Sequence, residues 1–245
     1  MRAVDRLFLH PLSRASRARV VCFPYAGGTA SIFNGLSRAL PSDLELCAFE
    51  PPGRQKRSHE PLATSMHELV SSLLEVAGDL LDRPCVFYGH SMGSWLAFEL
   101  ARALRDARQA LPVALLLSAA RAPHLPRRRG LSQLSDEEFV AELAAMKGTP
   151  PEVLGDPDLM AYVLPRIRAD FAVAERYRPE SAPPLALPFT VLGGAQDHWI
   201  QPAHLQAWRS YSSAEFRLQL LAGDHFFLER QQNTLCGLLE RALTA

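Results

Sequence analysis

Six short apolar runs, separated by longer stretches of helical periodicity, constrain this chain more than any other feature. The runs are Arg19–Pro24 (RVVCFP), Leu44–Phe49 (LELCAF), Pro84–Tyr88 (PCVFY), Val113–Ser118 (VALLLS), Phe189–Leu192 (FTVL) and Phe216–Leu221 (FRLQLL). Most are almost continuously apolar, as strands covered on both faces must be, whereas a strand with one wet face alternates. Between them, Met66–Leu81 places Met66, Leu69, Val70, Leu73 and Leu74 on one helical stripe, and Ser94–Leu104 and Gln231–Leu243 repeat the pattern. Strands alternating with helices predict an α/β fold with a mostly parallel central sheet flanked by helices.

One stretch breaks the alternation. Residues 126 to 188 offer helical segments and no strand. Ser135 with Glu138 makes a capping box ahead of a face formed by Phe139, Val140, Leu143 and Met146, and Gly148, Pro150 and Pro151 stop that helix. A second helix is expected from Asp156-Pro157 and a third near Arg166–Tyr177. Residues 1–125 and 189–245 are therefore expected to form the core, and 126–188 a helical lid inserted into it.

Composition removes several classes of function. A folded chain of 245 residues hides roughly 70% of its extended surface, enough for a full core without covalent staples. Lys+Arg and Asp+Glu both number 26, so no net basic field exists to hold nucleic acid. Cys22, Cys47, Cys85 and Cys236 form neither a disulfide framework nor a C-x-x-C metal pair. No apolar run is long enough to cross a membrane. Arg2, Arg6, Arg14, Arg17 and Arg19 lack the apolar core and cleavage site of a secretory signal. The expectation is a cytoplasmic protein with reduced thiols, and a monomer, since no heptad or extended apolar face stands out.

Gly89-His90-Ser91-Met92-Gly93 carries the sharpest chemistry. It follows the run PCVFY and precedes a helix, the strand–turn–helix setting of the G-x-S-x-G nucleophile elbow. A serine hydroxyl needs a base, and in such folds the acid and base follow later strands in the order Ser, Asp, His. Asp197 lies after the run at 189–192, and His225 after the run at 216–221. His198 is a poorer base, because Asp197 beside it has no room to orient it. Asp224 is a poorer acid, because neighbours in an extended loop point apart. His90 is expected to pack beneath the turn; His10, His59, His67, His124 and His204 have no motif around them. Pro24-Tyr25-Ala26-Gly27-Gly28-Thr29-Ala30 follows the first run, where the second oxyanion donor belongs, so the backbone N–H groups of Ala26 and Met92 are the candidate pair. Neither a P-loop nor a complete G-x-G-x-x-G is present.

FPYAGG with Ser31-Ile32-Phe33, then Pro51-Pro52-Gly53-Arg54, GHSMG, GGAQDHWI and GDHFFL, occur in that order between about residues 23 and 228. Together they resemble the type II thioesterases of polyketide and nonribosomal peptide synthesis. Ser94 stands where alanine is frequent in that family. The resemblance implies an α/β-hydrolase fold with a helical lid, and hydrolysis of acyl groups from the phosphopantetheine arm of acyl or peptidyl carrier proteins. It implies Ser91 as nucleophile, His225 as base, Asp197 as orienting acid, and Ala26 and Met92 as the oxyanion hole. No metal or cofactor is required. Arg127, Arg128 and Arg129 would steer an acidic carrier protein or form a solvated charge run. Phe139, Met146, Met160 and Phe171 would line an acyl channel or hold the lid together, and on the same resemblance Arg54 and Arg57 shape the entrance. The N-terminus shows no attached carrier domain, so the substrate is expected to arrive in trans. Rival readings are a carboxylesterase or lipase acting on free oxygen esters, a cyclising or acyl-transferring enzyme, and a non-catalytic binding protein on the same fold.

Overall fold

The computed structural model describes residues 3–10, 12–13, 15–126 and 130–244. Six strands form one sheet: β1 (Ala18–Phe23), β2 (Leu44–Ala48), β3 (Cys85–His90), β4 (Ala114–Ser118), β5 (Phe189–Gly194) and β6 (Phe216–Leu221). Their order is β2-β1-β3-β4-β5-β6, and every pairing is parallel. All six lie where the apolar runs predict them, to within two residues at either end. β1, β3 and β4 are buried at every residue, which is why they read as unbroken apolar runs. β6 closes one edge and is largely open to solvent, so the polar residues Arg217 and Gln219 interrupt its apolar run.

The helices are α1 (Ala3–Leu7), α2 (Asn34–Ala39), α3 (Met66–Leu74), α4 (Ala77–Leu80) and α5 (Met92–Asp106) in the first half of the chain. They continue as α6 (Asp136–Met146), α7 (Pro151–Leu154), α8 (Pro157–Arg176), α9 (Pro202–Gln206) and α10 (Gln232–Thr244). Successive strand residues point to opposite faces, and the core divides accordingly. Val21, Phe23, Phe87, Leu115 and Leu117 pack with α3 and α5 on one face. Val20, Cys22, Val86, Tyr88 and Leu116 pack with α2 and α10 on the other. Fully burying such a side chain contributes roughly 1.5–3 kcal/mol.

Two helical expectations need correction. The stripe at 66–81 breaks into α3 and α4: at Val76 (φ −112°, ψ 7°) the chain leaves helical geometry, where a β-branched residue and Gly78 weaken it. Conversely, the helices expected at 156 and 166 are one continuous helix, α8, running through Pro165. An interior proline costs about 3 kcal/mol. The buried side chains of Met160, Leu164, Ile167 and Val173 lie on both sides of it and hold the halves in line. The segment between β4 and β5 has a small core of its own, built from Leu131, Phe139, Leu143, Met160, Leu164 and Ile167. The capping box at Ser135 and the Asp156 cap form as expected.

The chain builds β1, then β2 to one side, and crosses back to place β3 on the other. Between β1 and β3 lies the switch point where open parallel sheets bind their ligands, beyond the carboxyl ends of the strands. Among the described residues no helix is long and apolar enough to cross a membrane. The four cysteines are buried and unbridged.

Candidate active site

Ser91 is the single residue between β3 and α5, held at φ 53° and ψ −118°. A non-glycine residue in such a conformation costs on the order of 1–3 kcal/mol unless its surroundings fix it. Here they do. A Cβ at Gly89 would sit 2.2 Å from the Gly93 carbonyl oxygen, and one at Gly93 would sit 2.0 Å from that of Phe23. Only glycine at both positions lets strand, turn and helix close up. The Ser91 N–H donates to the Ser118 carbonyl at 2.8 Å. The Ser94 hydroxyl lies 2.8 Å from the Gly89 carbonyl and 2.9 Å from that of Ser118, and accepts the Ser118 N–H at 3.0 Å. Serine in place of alanine therefore ties α5 to β3 and β4.

The structure brings Asp197 and His225 to Ser91. Asp197 follows β5, and His225 follows β6. Their loops meet because Gly194 has no side chain: a Cβ there would lie 2.1 Å from the Asp224 carbonyl. His225 Nδ1 is 2.7 Å from Asp197 Oδ2, and its Nε2 is 3.1 Å from Ser91 Oγ. A carboxylate only accepts, so Nδ1 carries the proton and Nε2 presents a lone pair to the serine hydroxyl. Asp197 Oδ1 accepts the N–H groups of Trp199 at 2.8 Å and Ile200 at 3.0 Å. Burial pushes the Asp197 carboxyl up, but His225 and these two N–H groups outweigh it and hold the group below its ordinary range. The carboxylate stays charged, with no solvent exposure of its side chain. The Trp199 and Phe226 rings flank the imidazole, centroids 5.2 and 5.1 Å away.

The rivals stand outside this hydrogen-bonded chain, although His198 and Asp224 border the same cleft as Asp197 and His225. His198 is exposed. Asp224 accepts the Phe226 N–H at 2.9 Å. His124 meets the Tyr211 hydroxyl, and His204 accepts the Gln201 N–H. His90 is fully buried beneath the elbow, as expected. Its Nε2 is 2.8 Å from the His225 carbonyl and must donate, so Nδ1 accepts from the Ser118 hydroxyl at 2.7 Å. Burial first, and the neighbouring His225 second, push its pKa down to about 3. His90 is a neutral prop under the His225 backbone.

Ala26 lines the cavity that holds Ser91 and His225, of about 310 Å³, together with Met146, Phe171 and Phe226. Met92 opens α5, where the first N–H groups have no partner inside the helix. A second cavity of about 200 Å³ shares Tyr25, Ala26, Met146, Phe171 and Phe226, and is completed by apolar groups such as Ile167 and Val163. So Met146 and Phe171 face the site, whereas Phe139 and Met160 lie in the insertion's own core. Burial pushes the Tyr25 hydroxyl up to about 12. It is a neutral wall rather than an acid at ordinary pH.

Arg54 and Arg57 do not shape an entrance, because both are buried. Arg54 pairs with Asp170 of α8, and Arg57 with Glu60 and the Glu50 carbonyl at 2.6 and 2.7 Å. A sequence cannot show that pairing, since Asp170 reads as one polar position on a helix. Arg127, Arg128 and Arg129 lie outside the described residues. Among the described residues no group of three or more His, Cys, Asp or Glu is placed to hold a metal ion.

A profile of the thioesterase domain matches residues 18–243. This chain belongs to the thioesterase family. It is a hydrolase acting on thioesters, and the resemblance read from its five motifs holds. The gramicidin S biosynthesis protein GrsT of Aneurinibacillus migulanus is 38% identical over 92% of this chain and 89% of that protein. The type II thioesterase BorB of the borrelidin biosynthetic cluster superimposes with a TM-score of 0.87, at 35% identity, over 96% of both chains. YbtT, the type II thioesterase of the yersiniabactin pathway, gives 0.87 at 32% identity over 97% of both. The thioesterase fold of these neighbours is the α/β-hydrolase fold expected from the sequence.

Proposed function

We propose that this thioesterase hydrolyses acyl groups from the phosphopantetheine arm of acyl or peptidyl carrier proteins of a polyketide or nonribosomal peptide synthase. The reading is carried by one observation: Ser91, His225 and Asp197, from three distant segments, form a continuous hydrogen-bonded chain at 3.1 and 2.7 Å. Its relatives of similar length serve such syntheses.

Ser91 Oγ attacks the thioester carbonyl carbon while its proton passes to His225 Nε2. Asp197 stabilises the imidazolium that results. The Ala26 and Met92 N–H groups hold the oxyanion, with the positive end of α5 behind Met92. The tetrahedral adduct collapses, the carbon–sulfur bond breaks, and the pantetheine thiol leaves with the His225 proton. Water then attacks the acyl-serine by the same route and releases the carboxylic acid. No cofactor enters either half. Core segments 1–125 and 189–245 carry this machinery. Residues 126–188 act as a lid whose Met146 and Phe171 cover the acyl group.

The test compares hydrolysis of acyl groups loaded on one carrier protein, and of the matching acyl-pantetheine, with hydrolysis of p-nitrophenyl esters. Faster turnover of the carrier-bound thioesters supports the reading. Far faster turnover of the free oxygen esters rejects it in favour of a carboxylesterase.

A further inference from the structure

The side chain that reaches the oxyanion loop from outside the core belongs to α8. Asp170 Oδ2 accepts the Gly27 N–H at 2.7 Å. The same oxygen pairs with Arg54 Nη2, and the side chains of the pair are 7% and 4% exposed. Burial lifts the Asp170 carboxyl above its ordinary range, and Arg54 and the Gly27 N–H counter the lift. Around this contact α8 is fastened twice more. Arg54 Nη2 donates to the Arg166 carbonyl at 3.2 Å, and Arg166 Nε donates to the Gly53 carbonyl at 2.6 Å. Ile167 presses on the loop so closely that a Cβ at Gly27 would lie 2.9 Å from its Cγ1.

The loop contacted is the one that carries the Ala26 N–H. Tyr25 to Gly28 form a turn closed by the Gly28 N–H on the Tyr25 carbonyl at 2.9 Å, with Gly27 at φ 84° in third position. A glycine at positive φ there marks type II geometry, and a flip of the Ala26–Gly27 peptide converts it towards type I. Such a flip would turn the Ala26 carbonyl, in place of the Gly27 N–H, towards the Asp170 carboxylate. A buried carboxylate rejects a carbonyl and accepts an N–H. With glycine at both 27 and 28 the backbone itself offers little resistance to flipping.

We infer that Asp170, fixed by Arg54, is a positioning residue that holds the Tyr25–Gly28 turn, and through it the Ala26 N–H one peptide earlier, in its oxyanion-binding form, so that the hole is complete only while α8 is seated on the core. The inference rests on the catalytic reading above and adds a control to it: the insertion that covers the substrate also sets the donor geometry. Asp170 touches neither the substrate nor the reacting atoms, and its effect passes through the backbone of Gly27.

The experiment uses a pantetheine-armed trifluoromethyl ketone and the corresponding amide. The ketone is attacked by Ser91 Oγ, whose proton moves to His225, and its carbonyl becomes an oxyanion that needs the hole. The amide binds without reacting. The variant is Asp170→Leu combined with Arg54→Met, which removes both charges together at similar volume and leaves no orphan ion in the interior. Its ketone affinity and its kcat should fall together by about tenfold or more. Its KM and amide affinity should stay within about twofold of wild type, allowing for the usual non-additivity of neighbouring changes. Asp170→Asn combined with Arg54→Met keeps an acceptor for the Gly27 N–H, leaves no buried charge, and should recover most of the loss. Unchanged ketone affinity and kcat in the double variant would overturn the inference. So would an equal loss for ketone and amide, which marks a structural role alone. Failure of the wild-type enzyme to form a ketone adduct at Ser91 would instead remove the catalytic reading, and this inference with it.

Discussion

The rim of the sheet and the helical insertion are held by different means. At the rim, backbone touches backbone: Gly89, Gly93 and Gly194 stand where any Cβ would strike a carbonyl oxygen within 2.2 Å. Residue identity there is dictated by sterics. The insertion rests on side chains, with its own apolar core and one buried ion pair at Arg54 and Asp170. Apolar side chains of similar volume exchange at modest cost. The contrast teaches that this fold fixes the proposed reacting groups tightly and leaves the proposed lid open to variation.

The largest effect that sharpens the contrast is at the rim. Ser91→Ala should lower kcat for thioester hydrolysis by about 10⁴- to 10⁶-fold. A thermal melt should show the fold unaffected, because among the described residues the hydroxyl's hydrogen bond goes to His225, a residue of the site rather than of the core. Retained turnover would break the assignment. Next, Gly93→Ala should destabilise the protein by about 3 kcal/mol or more in urea unfolding, the upper end of overpacking costs. Gly155→Ala in the insertion, at φ −85° with its nearest obstacle at 3.3 Å, should be neutral or stabilising by up to about 1 kcal/mol. Similar costs at the two glycines would erase the distinction.

That distinction also explains what could be read from the sequence. The strands were legible because double-sided burial leaves apolar runs. Ser91, Asp197 and His225 were legible because each hangs from a strand end in a fixed order, and glycines mark the tight places. Arg54 was legible as part of a motif but not as a buried partner of Asp170, since a pair 116 residues apart leaves no local pattern. The continuity of α8 through Pro165 was hidden for the same reason: packing decided it over propensity. Ser118 and Ser94, which brace the elbow, look like ordinary small polar residues until their carbonyl partners are seen.

A smaller effect concerns charge near the core. Burial lowers the His90 pKa from 6.5 to about 3, and raises that of Glu50 from 4.5 to about 7. Unfolded chains bind a proton at His90 below pH 6.5 that the folded protein refuses, so stability falls as pH drops from 6.5 towards 3. Glu50 acts the other way: the folded protein keeps a proton that the unfolded chain releases above pH 4.5, so stability falls as pH rises from 4.5 to 7. Between pH 4.5 and 6.5 the two slopes oppose each other. Glu50→Gln removes the second, so its stability should climb with pH in that window more steeply than wild type, by about 1.4 kcal/mol per unit. Urea unfolding across the window reads the slope, and parallel curves would contradict it. Among the changes that weaken the rim, the smallest is Ser94→Ala, which should cost about 1–2 kcal/mol by leaving the Ser118 N–H without its acceptor. Its kcat should stay near wild type.

The most direct test of the account is mass spectrometry of the intact protein, with peptide mapping, within milliseconds of mixing with an acyl-pantetheine thioester. The account predicts one acyl group, carried on the peptide containing Ser91 and lost as the free acid appears. Thioester hydrolysis with no acyl-enzyme at any time, or with the acyl group on another residue, would contradict it.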